Sequence, residues 1–171
     1  MFCLSCEPAI IQVFMKKPDP LRQHVTNLLT KAEAHVDLSS SIQDFPSELR
    51  GVKPEGAPHT PWQLLEHIRI AQWDILEFSK DAKHKSPKWP DEYWPKTEAP
   101  PNDQAWDKSV KQILADLKEI SDLVNNPEVD LLAPIPNGDG QTLLREALLV
   151  ADHNAYHLGQ LVMVRRILER K

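Results

Sequence analysis

The chain has 171 residues, 41% hydrophobic and 26% charged, a composition that excludes an intrinsically disordered protein and suits one folded domain. Its net charge of -5 comes with no long basic stripe. This argues against a nucleic-acid partner, because phosphate contacts need clustered cations. No apolar run approaches the ~20 residues of a membrane span, so a cytoplasmic protein with no membrane partner is expected.

The first fourteen residues are fairly apolar but lack a basic n-region and a small-residue cleavage site, so they do not read as a signal peptide. Both cysteines, Cys3 and Cys6, lie there as Cys-x-x-Cys. No strand-helix context follows and no second Cys-x-x-Cys completes a four-sulfur zinc site, so no function is assigned to them. Residues 1–18 are expected to be a poorly ordered leader, with Met15 a candidate start. Residues 19–171 are expected to form a single domain.

Fifteen prolines against five glycines cluster at Pro46–Pro61, Pro87–Pro101 and Pro127–Pro136, as punctuation between helices. The first helix opens at Asp19-Pro20, a capping carboxylate followed by a proline whose missing N–H would have had no partner. Leu21, Val25, Leu28, Leu29, Ala32 and Val36 then recur at helical spacing. Ser39-Ser40-Ser41 weakens the pattern, and residues 42–46 are a last turn or the loop. His24 sits among polar neighbours and His35 near the helix end, both as ordinary surface residues.

Thr60-Pro61-Trp62-Gln63 starts the second helix with the signature of a capping box. Leu64, Leu65, Ile68, Ala71, Trp73 (or Ile75) and Phe78 supply its core stripe. His67 lies in its second turn, pointing inward or along the edge of the apolar face. Residues 81–101 form a long irregular segment whose Trp89, Tyr93 and Trp94 argue against disorder. It is expected to pack over one end of the bundle, either as a lid on a site or with its aromatics serving only as anchors.

Asn102 or Asp103 caps the third helix. Trp106, Val110, Ile113, Leu114, Leu117, Ile120 and Leu123 or Val124 repeat at three and four, with no unusual polar residue on the apolar face, so this helix reads as scaffold. Asn125-Asn126-Pro127 ends it. The next loop carries Asn137-Gly138-Asp139-Gly140 as turn chemistry and lacks the spacing of a phosphate cradle. Thr142 caps the fourth and longest helix.

That helix carries Asp152-His153-Asn154-Ala155-Tyr156-His157-Leu158-Gly159-Gln160. Histidines at i and i+4 share one face of a helix, about 5–6 Å apart at Cβ, which lets two imidazoles close on one metal ion. An amphipathic helix also carries such a pair by chance, so a third ligand decides between the two readings. His67 is the chosen third ligand; His59, on the loop before the cap, is the weaker choice. Four amphipathic helices without a strand make an all-α antiparallel-type bundle, a fold that places metal sites in its core. The long connections mean that its topology need not be simple up-down-up-down.

One histidine early in the second helix, in Trp62-Gln63-Leu64-Leu65-Glu66-His67, followed by His-x-x-x-His in the fourth, resembles the DinB/YfiT-like superfamily over roughly residues 19–170. The resemblance implies a four-helix bundle, often dimeric. It also implies a divalent metal, zinc or nickel, on His67, His153 and His157. Members include S-transferases that use low-molecular-weight thiols, an isomerase and proposed hydrolases. The implied partners are therefore a small-molecule substrate, a thiol among them, and a second copy of the chain.

Three neutral imidazoles leave an open coordination position, the arrangement of catalytic sites. A metal-dependent transferase or hydrolase is thus the favoured reading. The alternatives are a non-enzymatic metal-binding or stress-response module, which a fourth ligand such as His35 or His59 would favour, and a bundle without metal. Glu66, Glu146, Asp152, Asn154 and Gln160 are candidate partners for the second nitrogens of the ligating rings.

Overall fold

A computed structural model describes residues 19–31 and 33–170. Residues 1–18, where a leader is expected and where Cys3 and Cys6 fall, lie outside the described residues, as does Ala32 of the first stripe. Five α-helices follow one another: α1 (Pro20–Thr30), α2 (Leu38–Gln43), α3 (Pro61–Lys80), α4 (Asp103–Asn125) and α5 (Leu143–Leu168). Two single turns of 3-10 helix, at Ser47–Leu49 and Asp91–Tyr93, lie in the connections. The fold is all-helical, and no described helix is long and apolar enough to cross a membrane.

The capping residues act as the sequence predicts. Asp19 accepts from the Leu21 amide, Asn102 from Ala105 and Thr142 from Arg145. At Thr60 both halves of the capping box are made, with Thr60 Oγ1 accepting from the Gln63 amide and Gln63 Oε1 from the Thr60 amide. Thr60→Ala is expected to cost about 1 kcal/mol, read as a lower urea midpoint. Its hydroxyl also donates to the Glu98 carbonyl at 2.6 Å, so the variant loosens the loop on that side as well.

The first helix is shorter than its periodicity suggests. It stops at Thr30, and a new helix starts at Leu38 because Asp37 caps it, accepting from the Ser40 amide at 2.7 Å. A capping carboxylate in mid-run offers the backbone a helix start in place of helix continuation. The three serines therefore lie within α2. Leu21, Leu28 and Val36 are exposed; Val25 and Leu29 alone of the described stripe are buried. The break lets α2 turn Ile42, with Phe45 just beyond it, into the core.

Contacts fix the helix directions. Glu66 meets Ser109, Gln72 meets the Ile113 carbonyl and Lys80 meets Glu119, so α3 and α4 run parallel. Leu64 and Leu65 pack with Leu161, Val164 and Leu168, while Leu76 packs with Ala147 and Val150, so α5 is antiparallel to α3. Arg22 donates to the carbonyls of Val124, Asn126 and Val129, tying the start of α1 to the unpaired carbonyls at the end of α4. At the other end of α1, Leu28 and Leu29 stand beside Leu114 and Leu117. The order is up, down, down, up.

Two parallel neighbours require a return connection as long as the helix. Residues 81–102 supply it by running back along α3 instead of capping one end of the bundle. The segment is fastened at the far end by Trp62 Nε1–H donating to Thr97 Oγ1 at 3.0 Å and by the Glu98 carbonyl on Thr60. Gly51 is required there, since a Cβ on it would stand 2.5 Å from the Ala99 Cβ. Trp89 is exposed and anchors nothing in the core.

The apolar face of α4 carries three polar residues that periodicity misses, since Ser109, Asp116 and Ser121 are all buried. Ser109 donates to Glu66 on α3, and Ser121 to the Leu117 carbonyl of its own helix. Burial holds the Asp116 carboxyl above its usual range, against a bond from Gln112 that lowers it.

Candidate metal centre

The antiparallel packing of α3 and α5 sets the second turn of one helix beside the middle of the other. That juxtaposition brings His67, His153 and His157 together. The ligand atoms of the three lie within 4.8 Å of one another. Their ring centroids form a near-equilateral triangle of 4.9, 4.5 and 4.6 Å. His67 is 2% exposed and His157 7%, while His153 is half-buried.

The hydrogen bonds fix which nitrogen is bare on two of the rings. His67 Nδ1 lies 2.8 Å from the Tyr93 carbonyl, which only accepts, so Nδ1 carries the proton and Nε2 keeps its lone pair. His157 Nδ1 donates to Gln160 Oε1 at 2.9 Å with the same result. The His153 Nε2 stands 3.1 Å from His67 Nε2. Two imidazole nitrogens on one tetrahedral zinc, each about 2.0–2.1 Å from the ion, would be ~3.3–3.4 Å apart. The observed separation differs by only a few tenths of an ångström. His153 Nδ1 is buried without a partner among the described residues.

This donor set fits a divalent cation. Two rings present lone pairs from locked tautomers, and the pattern in which a ligating histidine gives its other N–H to a carbonyl oxygen is the usual support of a metal ligand. Burial, followed by the neighbouring imidazoles, lowers both His153 and, against the bond to Tyr93, His67 to about 4. Burial lowers His157 as well. All three rings are therefore neutral at pH 7, the protonation state that metal binding requires.

The same shifts predict how the metal-free protein responds to acid. Histidines that titrate near 4 when folded and near 6.5 when unfolded take up protons in the unfolded chain first. Their contribution is fully present above pH 6.5 and is lost as the pH falls toward 4. Urea unfolding of the chelated protein is expected to show a decline on the order of 5 kcal/mol across that window, shared between the two rings. His67→Gln should roughly halve the decline.

Trp94, in the return segment, stacks on His67 with centroids 3.9 Å apart and planes 2° apart. His59 stacks on Trp94 at 3.9 Å and 16°. Two rings so close and so nearly parallel to one indole fit only on its opposite faces. Trp94 therefore separates His59 from the cluster, and His35 is exposed on the connector after α1. Neither is a fourth ligand. Among the described residues no further His, Cys, Asp or Glu joins the three. The return segment touches the cluster through residues 93–94, by the Tyr93 carbonyl and the Trp94 indole on His67.

Of the partners that sequence reasoning offers the ligands, only Gln160 takes that role. Glu66 is held by Arg69 in two parallel bonds and by Ser109. Glu146 is paired with Arg145, and Asn154 donates to Gln72 Oε1 at 2.7 Å. Asp152 is exposed. The Tyr93 carbonyl escaped sequence reasoning, because a backbone acceptor has no residue type, and Trp94 was legible as a lid or anchor aromatic but not as the partner of His67, because the loop register is set by distant contacts.

Residues 31–161 match the DinB superfamily. No curated protein and no solved structure matches the chain.

Proposed function

The chain belongs to the DinB superfamily, and from that premise we propose that it is a divalent-metal-dependent enzyme acting on a small molecule by thiol-dependent S-transfer or hydrolysis. The observation that supports this most is the convergence of two tautomer-locked Nε2 lone pairs with His153 Nε2, with no fourth protein ligand among the described residues. Zinc or nickel, bound there, would supply Lewis-acid chemistry at an open position, favouring the ionised form of a thiol or water.

The residues of the chain have separate tasks in this reading. His67, His153 and His157 hold the ion while adding no charge of their own, so its positive charge stays available to the reactant. Trp94 walls one side of His67 against water and keeps that ring in plane. Gln160 keeps His157 in the tautomer that binds. A cytoplasmic location, expected from the sequence, and association into a homodimer, implied by the family resemblance, accompany this reading.

The test is metal-dependent turnover. The metal-loaded protein is screened against pairs of low-molecular-weight thiols and electrophiles and against ester and amide panels, before and after chelation. Turnover that disappears on chelation and returns with metal is expected. Activity in no panel would overturn the enzymatic reading and favour a metal-binding module.

A further inference from the structure

A second cluster of polar side chains lies further along α3 from the metal centre. Asp74 stands seven residues beyond His67, two turns along the same face. The residue is 7% exposed, yet among the described residues no Lys or Arg pairs with its carboxylate. Both of its oxygens are taken by the return segment. His84 Nε2 donates to Oδ1 at 2.7 Å and Tyr93 Oη to Oδ2 at 2.5 Å. Burial, then the bond to Asp74, holds the Tyr93 hydroxyl well above its usual range, so it remains a donor. His84 is in turn wedged edge-on against Trp73.

Tyr93 thus makes two contacts on α3 with two different parts of itself. Its side chain binds Asp74, and its backbone carbonyl accepts from His67 Nδ1. The next residue, Trp94, covers the face of the same imidazole. We propose that Asp74, with His84 and Tyr93, is a positioning cluster that sets the tautomer and orientation of His67. On the reading that His67 is a metal ligand, it also sets the affinity of the metal centre. An aspartate that only balanced charge would not need a tyrosine hydroxyl and an imidazole on opposite oxygens. A loop fastened only for stability would not deliver a carbonyl and an indole to one ring.

Tyr93→Phe separates this role from a structural one. It keeps the carbonyl and the aromatic ring and removes only the bond to Asp74; Asp74→Asn weakens the same link from the other side. In the metal-free protein, long-range nitrogen–proton spectra of the imidazoles should show His67 as the Nδ1–H tautomer. That preference should be lost in both variants. Co2+ affinity, measured by chelator competition, should fall roughly 10–100-fold, the usual cost of losing an outer partner of a metal ligand. If Tyr93→Phe lowers only the melting temperature, with tautomer and Co2+ affinity kept, the cluster is a structural clip and the inference is wrong. If the tautomer is lost while the unaltered protein binds no Co2+, the positioning role stands and the metal reading fails.

Discussion

Replacing His153 by Ala is expected to lower affinity for a divalent cation by more than the roughly 100-fold that loss of an outer partner costs. The reason lies in how the three rings are held. His67 and His157 each have a partner for Nδ1, so both remain in the binding tautomer when the third ligand is gone. Two neutral nitrogens on one side of an ion make too few bonds for tight zinc or nickel binding. His153 is also the cleanest position to test. Its Nδ1 has no partner among the described residues, and its ring is half-buried, so truncation removes little beyond the contact of its Nε2 with His67 Nε2. His67→Ala would in addition remove the stack on Trp94 and the bond to Tyr93. Titration with Co2+ or Zn2+, beside a thermal melt of the metal-free variant, checks both halves: affinity lost, melting temperature kept. Unchanged affinity would remove His153 from the ligand set.

The second large effect is on stability. Trp106 is 0% exposed and packs against Phe45 and Trp62, with centroids at 5.2 and 6.5 Å, while the Arg50 guanidinium lies over its ring at 4.9 Å. Its Nε1–H donates to the Ile42 carbonyl at 3.0 Å, fastening the short α2 to α4. Trp106→Ala removes this joint at once and is expected to cost about 3–5 kcal/mol, a fall of roughly 10 °C in melting temperature. Trp106→Phe keeps most of the ring and should cost about 1–3 kcal/mol, chiefly for the unpaired carbonyl. Urea midpoints of the two variants give the order. Equal, small losses would mean that α2 is not held through this residue.

Local chemistry was legible and long-range chemistry was not. The caps at Asp19, Thr60, Asn102 and Thr142 were readable because a cap and its amide lie within three residues of each other. The bundle followed from helical periodicity, and the three histidines from the i, i+4 pair together with the family resemblance. Two features misled. Asp37 starts a helix inside what looked like a continuing one, since periodicity alone does not reveal a competing cap. Ser109 sits on a face that should have been apolar because its partner, Glu66, is on another helix. Likewise, nothing in the order of residues says that the carbonyl of Tyr93 meets His67, a contact spanning 26 positions. It depends on α3 and α4 being parallel, which forces the intervening segment to return along α3.

The parallel pair thus links topology to chemistry. A short turn between antiparallel helices would have left His67 without a carbonyl and without an indole. The return segment costs the chain a long stretch with little regular structure. In exchange it brings Tyr93 and Trp94 to His67, the candidate ligand on α3, and Tyr93 is bonded to Asp74.

The most direct measurement is elemental analysis of the protein purified without added metal. Close to one zinc or nickel ion per chain, falling to a trace in His153→Ala, is the predicted result. Substoichiometric metal that does not change with that substitution would contradict a cation held by residues 67, 153 and 157.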